Sequence, residues 1–282
     1  MQYTNLLMED QRLMDTLATR GVIDYHIFDM VSNAPLIIKD RDNTSILGRY
    51  SNGKIFKLNT SSVYDFTPKN KEQSYIWDAG WNREQLATIV MGGAATGKTF
   101  AAIIFGLYYT LETKDFEGIT LVKPNVSMGK SLGSLPGTLE EKMDPILQSY
   151  YDHIRKIVNS KTIISDLKRL GKLEFLPLEY ARGRTLEKRV VILDEMQNTD
   201  THEMMTLLSR CCDSCKVFVL GDPMQVDKEA LRASQSGLEV AYNSLVGEEW
   251  LGAVTMDNRK NLRGKLSKAV LEKFPANKPK EN

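Results

Sequence analysis

The eight residues Gly92-Gly93-Ala94-Ala95-Thr96-Gly97-Lys98-Thr99 fit the pattern G-x-x-x-x-G-K-[ST] at every fixed position. Small residues let the backbone curl until several N–H groups point at one anion. A helix starting at the end of such a loop adds the positive end of its dipole. Lys98 is long enough to reach the β- and γ-phosphates of a nucleotide held there, and the Thr99 hydroxyl is placed to ligate Mg2+. The plainer alternative is a small-residue turn between a strand and a helix. The flanks suit a phosphate loop: Ala87-Thr88-Ile89-Val90-Met91 reads as a buried strand, and Phe100-Ala101-Ala102-Ile103-Ile104 opens a helical pattern. The spacing predicts that residues 92–99 bind a nucleoside triphosphate.

Further along, Val190-Val191-Ile192-Leu193 runs directly into Asp194-Glu195. Asp194 is expected to hold Mg2+ through its water shell, and Glu195 to orient and polarise the attacking water. Carboxylates also suit a helix N-terminus, but the phosphate loop upstream favours the catalytic reading. The glutamate separates chemistries as well: a hydrolase needs a base for water, whereas a kinase must exclude water. The next apolar run ends in Gly221-Asp222-Pro223-Met224-Gln225, which makes Gln225 the candidate sensor of the γ-phosphate and the attacking water. Its bland account is an Asp-Pro turn with a solvent-facing amide. Asn70 followed three residues later by Gln73 satisfies a helix-capping pattern. The sharper reading has Gln73 recognise adenine, because one amide can pair with both N6 and N7.

These groups need a scaffold, and the pattern supplies one. From about residue 63 apolar strands alternate with helices: Gly118–Val122, a long helix over Leu139–Val158, Leu173–Leu176, Arg189–Leu193, a helix near Glu203–Ser209, Lys216–Leu220, Leu251–Met256 and a last helix from about Lys265. Such alternation predicts an α/β fold with a mostly parallel sheet covered by helices on both faces. Phosphate ligands then sit at the carboxyl ends of its strands. Residues 1–62 read as a separate accessory segment, with Leu6, Leu7, Leu13, Met14 and Leu17 in a short helix capped by Gly21, and a hairpin turning at Asn52-Gly53. Residues 63–274 form the nucleotide-binding domain and 275–282 a disordered tail.

Composition narrows the class. Of 282 residues, 26% are charged and the net charge is +1, which gives no global pull towards nucleic acid or membrane. The start lacks a basic n-region and a long apolar stretch, and no run approaches roughly 18 apolar residues, so a cytoplasmic protein with no membrane partner is expected. Cys211, Cys212 and Cys215 have no other cysteine to pair with, and no second ligand pair completes a metal site around them.

A wider set of motifs occurs in one order: Pro68, Asn70 and Gln73; the phosphate loop; Lys123-Pro124; Leu132-Gly133-Ser134-Leu135-Pro136-Gly137; Glu179-Tyr180-Ala181-Arg182-Gly183-Arg184-Thr185-Leu186; Ile192 to Thr199; Gly221 to Gln225; and Ser236-Gly237-Leu238. In this set the chain resembles the PhoH family of phosphate-starvation-inducible ATPases, related to the first motor domain of superfamily 1 helicases. The resemblance implies a RecA-like P-loop NTPase sheet, ATP and Mg2+ as ligands, ATP hydrolysis, and a link to RNA or single-stranded DNA. Ala95 stands where relatives usually carry glycine, a mild change if its φ is negative. Lys123 stands where they tend to have arginine. Some relatives carry an N-terminal nuclease domain of the PIN type, for which the leading segment is too short.

The expected function is Mg2+-dependent ATP hydrolysis by a single domain. An ATP-regulated scaffold with slow hydrolysis is the alternative, and a kinase is disfavoured by Glu195. Phosphoryl transfer usually needs an added cation on the γ-phosphate. Arg263 is the first candidate, because Asn261 to Leu266 matches a family stretch centred on an arginine, and Arg182 is the second. Either acts in cis or across a subunit boundary, the latter implying a homo-oligomer such as a closed ring. Arg259, Lys260, Arg263, Lys265, Lys268 and Lys273, with Arg182 and Arg184, form the basic clusters available for a nucleic acid backbone; a solvated helix end is the plainer account.

Overall fold

A computed structural model describes residues 6–124, 139–228, 231 and 234–256. The last basic helix, Arg263, the Leu132–Gly137 motif and the tail 275–282 lie outside the described residues.

The chain opens with β1 (Leu6–Glu9), α1 (Gln11–Arg20), β2 (Val22–Asp24), β3 (Ala34–Lys39), β4 (Ser45–Ser51) and β5 (Lys54–Lys57). The five strands form one sheet in the order β1-β3-β4-β5-β2, antiparallel except for the β1–β3 pair. Leu6 and Leu7 belong to a strand, not to the expected helix: they pair with Leu36 and Ile37, and Asp10 starts α1 by accepting from the Leu13 N–H at 2.9 Å. Cross-strand pairing overrides the helical spacing of those leucines. The helix ends as expected, at Gly21 with φ +74°, and buries Leu13, Met14 and Leu17 against Leu36, Ile38 and Ile55. Asn52 and Gly53 take φ of +51° and +73°, the doubly positive geometry of a tight hairpin turn.

The remainder is an α/β sandwich as predicted. It comprises α2 (Lys71–Trp81), β6 (Ala87–Met91), α3 (Lys98–Leu107), β7 (Gly118–Lys123), α4 (Leu139–Val158), α5 (Ile163–Arg169), β8 (Leu173–Pro177), α6 (Leu178–Ala181), β9 (Arg189–Leu193), α7 (Thr201–Leu208), β10 (Lys216–Gly221), α8 (Gly237–Leu245) and β11 (Leu251–Thr255). Six parallel strands lie in the order β11-β6-β10-β9-β7-β8. Alternate side chains feed two cores, as the strand period of two requires. On β9, Val190 and Ile192 pack with α3 and α4 on one face, and Val191 and Leu193 pack with α7 and α8 on the other.

The two sheets are joined through α2. Arg49 on β4 pairs with Asp78 at 2.9 Å, the Tyr75 hydroxyl donates to the Leu36 carbonyl at 2.6 Å, and Asn33 donates to the Glu249 and Leu251 carbonyls. Among the described residues no helix is long and apolar enough to cross a membrane.

Candidate active site at the carboxyl end of the parallel sheet

Parallel strands bring their carboxyl ends to one edge. There β6 delivers the 92–99 loop, β9 delivers Asp194-Glu195, and β10, lying between them, delivers Asp222 and Gln225. The loop is tightly held at its base. The Gly92 N–H donates to the Gly221 carbonyl at 3.0 Å, and a Cβ at residue 92 would stand 2.6 Å from the Met256 Cβ. Gly97, at φ +91°, turns the chain into α3. Thr96 Oγ1 donates to the Gly93 carbonyl at 2.9 Å. Ala95 has φ +63°, so the condition for a mild change is not met: an L-residue occupies a left-handed position that glycine would accept without strain.

Lys98 folds back over this loop, its ammonium donating to the carbonyls of Gly92 at 2.5 Å and Gly93 at 2.8 Å. Burial lowers its pKa, while Asp222, Asp194 and Glu195 oppose that shift.

Thr99 and Asp194, the two residues expected to hold Mg2+, lie side by side. Thr99 Oγ1 donates to Asp194 Oδ2 at 3.0 Å, and the same oxygen accepts from the Tyr150 hydroxyl of α4 at 2.9 Å. A hydroxyl and a carboxylate are hard oxygen donors, the set that suits Mg2+. Glu195 stands at φ +60°, a strained conformation for a non-glycine residue and of a kind that gathers at functional sites. Its carboxylate accepts from Gln197 Nε2 at 2.7 Å.

Gln197 is fully buried and is the hub of the site's far side. Its Nε2 also reaches the Gln225 carbonyl at 3.1 Å, and its Oε1 accepts from the Asp222 N–H at 3.0 Å. Gln225 is on the expected loop but exposed, and its carbonyl is linked to Glu195 through Gln197. Burial raises the Asp222 pKa, against the lowering pull of the Met224 N–H and Lys98.

Gln73 reaches the phosphate loop directly. Its Nε2 donates to the Thr96 carbonyl at 2.8 Å and its Oε1 accepts from the Lys69 N–H at 2.8 Å, while Asn70 caps the helix through the Gln73 N–H. Both ends of the amide are engaged within the protein. Beside the loop lies a cleft of about 490 Å³ walled by Phe66, Trp77, Phe100, His153 and Lys156, large enough for a nucleoside. Arg182 is exposed at the end of α6, the short helix that follows the edge strand β8, and β8 lies four strands from β6 in the sheet.

Gln197, Tyr150 and the aromatic cleft escaped the sequence reading. Gln197 had a faint signal as an amide two places beyond a candidate base. Tyr150 had none, since on an amphipathic helix it reads as core.

A phosphate loop, a hydroxyl–carboxylate pair and an adjacent glutamate at one end of a parallel α/β sheet define a P-loop NTPase. The chain belongs to the PhoH-like protein family, whose model matches residues 65–275. It is similar to the PhoH-like proteins of Bacillus subtilis (35% identity over 65% of this chain and 56% of that protein) and of Mycobacterium tuberculosis (40% identity over 55% of this chain and 43% of that protein). The chain spans about half the length of the curated relatives it matches. A fainter likeness in backbone is to the Hef helicase domain of Pyrococcus furiosus, with TM-score 0.38 and 12% identity over 66% of this chain and 39% of that one.

Proposed function

We propose that the protein binds ATP with Mg2+ and hydrolyses it. The observation that carries this reading is the convergence of Thr99, Asp194 and Glu195 at the mouth of the loop. The loop's N–H groups and Lys98 would take the β- and γ-phosphates, and the 490 Å³ cleft the nucleoside. Thr99, and Asp194 through water, would hold Mg2+, which would supply neutralisation of the charge that develops in phosphoryl transfer. Glu195 would draw the proton from the attacking water, with Gln197 holding its carboxylate in place.

The test is Glu195→Gln. The variant should keep ATP bound and lose turnover by about 10²–10⁴-fold, the usual worth of a general base. Hydrolysis at the parental rate would overturn the assignment of Glu195. Lys98→Ala should abolish nucleotide binding, measured by calorimetry. We further propose that the γ-phosphate cation comes from Arg263 of a neighbouring copy in a homo-oligomer, and that RNA or single-stranded DNA is the macromolecular partner. Addition of either polymer should then raise ATP turnover.

A further inference from the structure

We infer that Tyr150 is a positioning residue for the metal-binding carboxylate, an inference that rests on the ATP–Mg2+ reading above. A carboxylate offers about four lone-pair directions. On Asp194, Oδ2 accepts from Thr99 Oγ1 at 3.0 Å and from the Tyr150 hydroxyl at 2.9 Å, and Oδ1 accepts from the Glu195 N–H at 3.0 Å. One direction is left, on Oδ1, and it is the place for a water of hydrated Mg2+. Tyr150 thus closes the oxygen that would otherwise offer a second, competing position.

The backbone of Asp194 is fixed separately by its N–H, which donates to the Val122 carbonyl at 2.9 Å. The plane of the carboxylate therefore depends on the three side-chain acceptor contacts. Thr99 must turn a lone pair to the metal, and the Glu195 N–H belongs to a strained residue. Tyr150 is the donor with no other duty at the site. It is 3% exposed and Asp194 is 7% exposed, so bulk water does not replace the hydroxyl once it is removed. The phenol comes from α4, which packs on α3. A tyrosine that merely fills the core would be replaced by phenylalanine without consequence for metal binding.

Partners that orient a metal-binding side chain typically change metal affinity 10- to 100-fold when removed, so Tyr150→Phe should weaken metal binding by about that factor. The measurement is the affinity of Mn2+ for the protein–ADP complex, read from the free-ion signal in electron paramagnetic resonance. ADP affinity in EDTA, measured by calorimetry, should equal that of the parent, because the phenol touches no phosphate donor. Tyr151→Phe, whose ring faces Arg155 and Lys168, should retain parental Mn2+ affinity. If Tyr150→Phe does not fold, Tyr150→Met keeps most of the apolar volume and should show the same loss. Parental Mn2+ affinity in a folded Tyr150 variant overturns the inference. A parent protein that binds ADP but takes up no Mn2+ overturns the metal reading itself, a distinct result because it is seen before any substitution.

Discussion

Ala95 holds φ +63° in the phosphate loop, a conformation that costs an L-residue about 1–2 kcal/mol and glycine almost nothing. Ala95→Gly should therefore raise stability, by no more than about 1 kcal/mol once the greater freedom of glycine in the unfolded chain is subtracted. A higher urea midpoint at constant m is the expected result, and a lower one would mean that the loop relaxes some other way. Gln197→Ala removes the donor to Glu195 and leaves the buried Asp222 N–H without its acceptor. Turnover should fall towards the about 10²–10⁴-fold contribution of a general base, with ATP affinity retained. The loop and the Asp-Glu pair were legible because each is a run of adjacent residues whose chemistry is local. Gln197 was only faintly so and Tyr150 not at all, because Gln197 meets Asp222 and Gln225 across 25 and 28 positions and Tyr150 meets Asp194 across 44, contacts that only the fold creates.

Helix α2 is almost wholly buried and bonded along its length. Gln73 reaches the phosphate loop, Tyr75 the small sheet, Asp78 the Arg49 guanidinium, and the Ala79 carbonyl the Lys216 ammonium. Gln73→Ala should weaken ATP and GTP together, because it removes a prop from the loop. A loss confined to ATP in competition binding would assign Gln73 to adenine after all. Arg49→Met leaves the Asp78 carboxylate buried without its cation and should cost about 3–5 kcal/mol, read by chemical denaturation. The strands of the parallel sheet were legible because both of their faces are covered, so they read as continuous apolar runs. The edge strand β1 was not, since four residues with two leucines fit a helix as well as a strand until β3 is present to pair with them.

At the scale of the whole molecule, Lys216 pins the end of the sheet away from the site. Its ammonium is 3% exposed and donates to the carbonyls of Ala79, Asn82 and Gln85 at 2.5–2.7 Å. Burial pulls its pKa from 10.5 to about 7. Between those values the unfolded chain binds more protons than the folded one, so stability should rise as pH is raised from about 7 towards 10.5. Lys216→Met should flatten that slope in denaturation curves across the window, whatever it does to absolute stability. The α/β class was legible from the alternation of elements, whereas a lysine at the head of β10 gave no sign that it would be buried. Met256 carries the last consequence. Its N–H donates to the Met91 carbonyl at 2.7 Å and its Cβ crowds Gly92, so the chain leaves the sheet directly over the phosphate loop. Arg263 follows seven residues later in the sequence, so the chain leashes it within about 25 Å of Met256. A short tether of that kind replaces a search through solvent with an effective concentration in the millimolar range. Whether the leash serves its own loop or a neighbour's is decided by mixing Lys98→Ala with Arg263→Ala protein: recovered turnover means that the arginine crosses between copies, and none means that each copy keeps its own.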